Sequence, residues 1–454
     1  MAELTKYETY KPSGINWIGE VPIDWKTLRI KNVASIVNGS TPSSSVEEYW
    51  DGDIIWATPG DFNKFDKIID DSESKITEAG YKSCGTSMVP VGSVVITTRA
   101  PIGNVLIAGK ELCTNQGCKS LVPNRIESRF LYYIISISSI ELNILGQGTT
   151  FLELSKESLG TFKLPLPKYD EQLAIANYLD NQTQKIDRLI ANKKAQAERL
   201  KELRQIEINN AVTKGLKPNA EMPASSKVEM KDSGIEWLGK IPKHWEVKRL
   251  KNVADINATK QELKYEEVKD LEVVFLAMES VSENGQIDNS EKRCVSELWE
   301  GFTYFQKNDV IIAKITPCFE NGKGAWLNNL ESDFGFGSTE FHTVRGHKNR
   351  LDNHYFYHVT KSDVFMKIGE AFMTGSAGQK RVSTNFVLTF KLAFPPIKEQ
   401  IEIANFLQQR TTAIDQLIKN IEAQIEKLQE LRKIRIYEAV TGKIKVNAYA
   451  EKTA

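Results

Sequence analysis

Residues 13–36 read SGINWIGEVPIDWKTLRIKNVASI, and residues 233–256 read SGIEWLGKIPKHWEVKRLKNVADI. At an offset of 220 residues, 13 of these 24 positions are identical, so the chain is written twice. A second pair of blocks says the same. Residues 171–213 set against 399–441, at an offset of 228, keep 24 of 43 positions, including EQ, IAN and AVT. The second copy therefore carries about eight extra residues in its middle. Between the blocks, 93–104 (SVVITTRAPIGN) stands where 309–320 (DVIIAKITPCFE) stands, and 161–167 (TFKLPLP) answers 389–395 (TFKLAFP). The plan is two similar ends around a variable middle, twice over. A period above two hundred residues excludes a solenoid, whose repeats run roughly 20–50 residues.

The chain has 454 residues, room for two or three domains. Lys plus Arg and Asp plus Glu both count 59, with 41% hydrophobic and 26% charged residues. That balance fits a soluble globular protein and excludes a long disordered polymer, a membrane protein or a histone-like DNA neutraliser. It leaves DNA binding open, because a basic face can be offset elsewhere. The start MAELTKYETYKPSG lacks an apolar signal core, and runs such as 94–96 are too short to span a bilayer. Five cysteines without a CxxC pair fit reduced thiols, so a cytoplasmic location is expected.

The middles read as mixed α/β, mostly strand. Residues 54–56, 94–97 and 310–312 are apolar and mostly β-branched, bounded by Gly, Asp, Asn or Pro. Residues 129–145 and 354–372 are each expected to form one helix. The segments after Pro167 and Pro396 lack Gly and Pro for about 45 residues, roughly 67 Å of helix. In the second, Ile414, Ile418, Ile421, Ile425 and Leu428 alternate steps of four and three. Their counterparts are Ile186, Ile190, Lys193, Ala197 and Leu200, with Lys193 a polar intruder of the kind that fixes register. So narrow a stripe suits one partner helix, and two matching stripes invite each other. Mixed charge along both makes them spacers and docking faces, not basic DNA-binding regions.

Catalytic signatures are missing. Gly-Lys at 109, 239, 322 and 442 is never followed by Ser or Thr, so no phosphate loop exists. Phe394-Pro395-Pro396 has an apolar residue where an adenine-methyltransferase motif needs a polar one. All five histidines lie in the second copy, so no His-dependent chemistry is shared by both. His354 and His358 sit one helical turn apart without the Glu of HExxH, and read as a packed or surface pair. Cys113 and Cys118 read as buried thiols. No catalytic residue and no metal site is expected.

The spacing W-[IL]-G-x-[VI]-P-x-x-W (17–25, 237–245), the helix start EQ-x-x-IAN-[YF]-L, the AVT exit and the doubled layout resemble the specificity subunits of type I restriction–modification systems. The resemblance covers nearly the whole chain. GDIIWATPGDF (52–62), TNQG (114–117) and GSAGQKRVS (375–383) resemble recognition-domain segments of that family. It implies an α+β fold: two mixed α/β target recognition domains, each followed by a long helix, the helices pairing as an antiparallel coiled coil with pseudo-two-fold symmetry. The corresponding map is a first recognition domain (1–166), first spacer helix (167–215), linker (216–232), second recognition domain (233–395), second spacer helix (396–443) and tail (444–454). The resemblance further implies a chain that binds double-stranded DNA and carries two methyltransferase subunits and, through them, restriction subunits. S-adenosylmethionine, ATP and Mg belong on those partners, with no cofactor on this chain. Because the two middles differ, the target should be bipartite and asymmetric.

Base readout uses Arg, Lys, Asn and Gln in the grooves, on polar glycine-bearing loops between strands. In the first domain this selects Arg99, Asn104, Asn115 and Gln116; in the second, Lys314, Lys323, Gln379, Lys380 and Arg381. Trp17, Trp25, Trp237 and Trp245 read as packing anchors. The competing readings are a scaffold that binds no DNA, and a specificity protein of an orphan methylation or related defence system.

Overall fold

The computed structural model describes residues 5–146, 152–216, 229–376 and 378–446. The linker proposed at 216–232 and the tail at 444–454 fall largely outside the described residues. The chain divides into two compact units, one of Met1–Lys194 with Ala423–Ala454, the other of Ala195–Glu422.

In the first unit a five-stranded sheet runs in the order Ala34–Asn38, Cys118–Pro123, Val94–Thr97, Val105–Ala108, Ile68–Ile69. A three-stranded sheet lies beside it, built on Trp50–Ala57. The central strand Val94–Thr97 is buried throughout, which explains its unbroken apolar run. Val94 and Ile96 enter the core beneath helix Ser128–Ser136, while Val95 faces the opposite way with Leu106, Ala108 and Cys118. The second unit repeats this. Its sheet orders Ala254–Ile256, Phe341–Gly346, Val310–Ala313, Gly324–Trp326, with Val310 and Ile312 in one core and Ile311 and Ala313 in the other. A second four-stranded sheet built on Glu272–Leu276 stands beside it.

The long helices form as the sequence leads one to expect, over Tyr169–Lys214 and Ile397–Val440, and they pack together. In the first unit Arg432 Nε donates to Asp187 Oδ1 at 2.9 Å; in the second Arg204 Nε donates to Asp415 Oδ1 at 2.9 Å. These are one bond written twice, since the offset of 228 carries Asp187 to Asp415 and Arg204 to Arg432. In the second unit Glu207 also meets Arg410 at 3.5 Å, so the strands of the pair run antiparallel there. The repeated AVT exits have a packing role. Ala439 and Val440 complete the core of the first domain, and Ala211 and Val212 that of the second.

One expectation is corrected in each copy. Residues 129–145 form two helices, Ser128–Ser136 and Ser139–Leu145; residues 354–372 form Asn353–Thr360 and Asp363–Ala371. Apolar periodicity runs through both breaks, but a serine intervenes. Ser362 Oγ accepts from Phe365 N and starts a new helix, while Ser138 Oγ turns back to donate to Ile134 O at 2.6 Å.

Candidate nucleic-acid interface

Strand register decides where the selected polar residues fall. In the first unit Thr97 pairs with Cys118, and Ile96 with Val105. The loops carrying Arg99, Asn104, Asn115 and Gln116 therefore open from one end of one sheet. Thr97 and Thr98 tie them together: Thr98 N donates to Gly117 O at 2.8 Å, and Asn104 N to Thr97 Oγ1 at 3.1 Å. In the second unit Ala313 pairs with Phe341 and Ile312 with Gly324, so Lys314 and Lys323 occupy the equivalent end. Bridges from Arg381 to Ile315 and Thr374 bring Gln379, Lys380 and Arg381 to the same place.

The individual side chains differ in how free they are. Arg99 is exposed and paired with Glu153, Nε to Oε2 at 3.1 Å. Arg381 is also exposed and grips Glu340, with Nε and Nη2 each 2.9 Å from a carboxylate oxygen. That hydrogen-bonded guanidinium holds the Glu340 carboxyl below its ordinary range. Asn115 is half-buried, its Oδ1 accepting from Gly117 N at 2.9 Å, so it shapes the turn it sits on. Gln116 accepts a hydrogen bond from Thr41. Lys323 is half-buried and donates to Met278 O at 3.0 Å, which assigns it a place inside the fold. Lys314 is half-buried; Asn104, Gln379 and Lys380 are exposed. Gly375 and Gly378, at φ of 129° and 81°, supply backbone angles that other residues rarely adopt, allowing the loop to fold back.

Sequence reasoning missed the carboxylates that neutralise the two arginines, because Glu153 and Glu340 lie 54 and 41 residues away. It also missed Lys119, nearly buried with Nζ 3.4 Å from Thr98 Oγ1 and 3.8 Å from Glu153. Burial pulls its ammonium below the ordinary lysine value, opposed by Glu153. Its place in the buried first four residues of strand Cys118–Pro123 gives no local signal.

The EQ dipeptide had a signal, since it is repeated, but its work was not legible. Glu171 accepts from Trp25 Nε1 at 3.2 Å and Tyr7 Oη at 2.6 Å; Glu399 accepts from Trp245 Nε1 at 3.1 Å. Beside it Gln172 donates to Pro167 O at 2.9 Å and accepts from Glu127 N at 2.8 Å. Gln400 donates to Pro395 O at 2.9 Å and Arg350 O at 3.0 Å, and accepts from Asp352 N at 2.8 Å. Each pair thus joins the long helix, the tryptophan in the turn between two short strands, and the cap of a domain helix. Trp25 and Trp245 are buried, and Trp17 lies against Tyr437, 6.2 Å between centroids. Trp237, 38% exposed, stacks on Phe390.

Along the long helices Ile186, Ala197 and Ile414 are buried; Ile190, Lys193, Leu200, Ile418, Ile421, Ile425 and Leu428 are half-buried. A set of exposed apolar positions escaped notice. Leu189, Leu203 and Ile206 are exposed, as are their counterparts Leu417, Leu431 and Ile434.

Among the described residues no group of three or more His, Cys, Asp or Glu side chains could hold a metal, and no helix is long and apolar enough to cross a membrane. His354 stacks on Trp326 at 4.2 Å, with His358 behind it. Cys113 and Cys118 are free and buried, and burial pushes the Cys113 thiol up to about 11.

A family model described as the type I restriction modification DNA specificity domain matches residues 22–199 and 242–427. The chain is 35% identical over 262 residues to the type I restriction enzyme MjaIX specificity subunit of Methanocaldococcus jannaschii, covering 56% of this chain and 57% of that protein. It is 35% identical over 193 residues to the EcoEI specificity subunit of Escherichia coli, covering 42% and 32%. These alignments span about half or less of the curated relatives' lengths. A solved structure concerned with assembly and conformational transition of the type I R-M system contains a chain of similar fold, with TM-score 0.66, 14% identity, and coverage of 92% and 98%.

Proposed function

The chain belongs to the type I restriction–modification DNA specificity family, and on that premise we propose that it is the non-catalytic subunit that reads an asymmetric, two-part duplex target. The observation that carries this is the equivalence of two sheet ends with unlike contents. The first end presents Arg99, Asn104 and Gln116 around a turn built by Asn115, while the second presents Lys314, Gln379, Lys380 and Arg381. A common frame with different polar groups reads two different half-sites. Arg99 and Arg381, already paired with carboxylates, reach bases by exchanging Glu153 and Glu340 for guanine edges.

The paired helices are the spacer that fixes half-site separation, as subunit geometry does in symmetric DNA-binding dimers. Two methyltransferase subunits dock on them, and the exposed apolar residues repeated in both helices, Leu189, Leu203 and Ile206 with Leu417, Leu431 and Ile434, support this. Restriction subunits join through the methyltransferases. S-adenosylmethionine, ATP and Mg act on those partners, in the cytoplasm, where the DNA is. The target adenine reaches the methyltransferase by base flipping.

The test is a methylome. The chain is expressed with its neighbouring methyltransferase subunit in a host lacking adenine methylation, and methyladenine is mapped at single-base resolution. A split, asymmetric motif that disappears without this chain is expected. No methylation from a soluble complex with an active methyltransferase would favour a scaffold that binds no DNA.

A further inference from the structure

Outside the variable sheet ends, both units carry a cluster of cations placed against electrostatic preference. In the first, strand Lys26–Arg29 pairs with Lys163–Leu166 so that Arg29 lies directly opposite Lys163. In the second, Arg249 lies directly opposite Lys391. Lys31 and Lys251 follow two residues after each arginine, on short 3-10 turns. All six side chains are exposed, and none makes an ion pair among the described residues. Like charges facing each other across an antiparallel pair destabilise it. Other lysines beside the second copy's strands do have a carboxylate: Lys248 has Glu246 at 2.6 Å and Lys243 has Glu229 at 2.8 Å. All three positions of the cluster are identical in the two copies.

That pattern separates two roles. Residues that read sequence differ between the copies, because the half-sites differ. A group identical in both copies, exposed, unpaired and unfavourable for folding serves something the half-sites have in common. In the second unit Arg249, Lys251 and Lys391 line an open cavity of about 420 Å³ with Ser233, Gly234 and Asn252, which add neutral polar groups. A guanidinium, two unpaired ammonium groups, a third on Lys248 that is paired with Glu246, and small polar neighbours around one concavity match a phosphodiester.

We propose that Arg29, Lys31 and Lys163, and equally Arg249, Lys251 and Lys391, are sequence-independent clamps on the DNA phosphate backbone. This rests on the reading of the chain as a DNA-binding subunit. Phosphate contacts position the duplex and carry no base information, which is why both copies keep them unchanged.

The experiment compares the full-length chain, assembled with its methyltransferase subunit, with R29Q/K31Q/K163Q and R249Q/K251Q/K391Q. Binding to a duplex bearing the mapped target and to one lacking it is measured across a salt series. Each triple variant is expected to lose affinity for both duplexes by the same factor, keeping their ratio. The slope of log affinity against log salt falls by up to about 2.7 per triad, from roughly 0.9 per phosphate contact. Melting temperature stays or rises, because a repulsion has been removed. An unchanged slope, or a changed ratio between the duplexes, overturns the proposal. Loss of methyltransferase assembly with DNA binding intact overturns it in favour of an acidic protein surface. If the single variants K31Q and K163Q are needed for a folded sample, each is expected to take about 0.9 from the slope. A wild-type complex that does not distinguish the duplexes would instead sink the DNA-reading function itself.

Discussion

Replacing Gln172 and Gln400 by leucine probes whether the repeated EQ dipeptide is a structural latch. Both side chains are 1% exposed, so whatever they release stays out of water. Leucine at 172 leaves the Glu127 N–H and the Pro167 carbonyl without their partner; leucine at 400 leaves the Asp352 N–H and the Arg350 and Pro395 carbonyls. An orphaned buried polar group costs about 1–3 kcal/mol, and the added apolar burial returns part of it. The expected losses are about 3 kcal/mol for Gln172→Leu and about 4 kcal/mol for Gln400→Leu. Glutamate retains the shape and the acceptor but not the donor, and buries a charge, so it should cost more than leucine. Urea unfolding followed by tryptophan fluorescence gives the sizes, with Trp25 and Trp245 beside the latches as reporters. Amide exchange gives the location. The Glu127 amide should lose protection in the first variant and the Asp352 amide in the second, each leaving the other unit untouched. Losses under about 1 kcal/mol at both sites, or unchanged exchange at those amides, would refute the reasoning.

Gly39→Ala places a Cβ 1.9 Å from the Asn115 carbonyl oxygen, so the 114–117 loop must move; a cost of about 3 kcal/mol and a change in the first half-site alone are expected in melting and methylome data. In acid, the second unit should fail first. Burial holds the pKa values of His342, His354 and His358 below the ordinary 6.5. The unfolded chain therefore takes up protons before the folded one, and stability is lost as pH falls below about 6.5, by up to roughly 1.4 kcal/mol per pH unit for each. The first unit holds no histidine, so exchange at pH 5.5 that weakens both units equally would contradict this. Double-mutant cycles should give about 1 kcal/mol for Arg204–Asp415 and about half that for the more exposed Asp187–Arg432. The reverse order would contradict burial as the cause.

What the sequence by itself determined is whatever repeats or has a local period. The doubled blocks announce two equivalent halves, because identical stretches at a constant offset fold alike. Two long gaps without Gly or Pro announce the helices Tyr169–Lys214 and Ile397–Val440. The strands Val94–Thr97 and Val310–Ala313 announce themselves through β-branched runs, since such side chains fit a sheet buried on both faces. Tertiary structure decided what depends on partners distant in the chain. The serine breaks at 138 and 362 required knowing where each hydroxyl points, back to Ile134 O from Ser138 and forward to Phe365 N from Ser362. The pairing of Arg99 with Glu153 and of Arg381 with Glu340, the hold of Gln172 on Glu127, and the facing of Arg29 and Lys163 join residues 41 to 134 positions apart. Composition and periodicity report on a residue's neighbours along the chain. A hydrogen bond or a repulsion depends on neighbours in space, and those exist only once strand register and helix packing have brought them together.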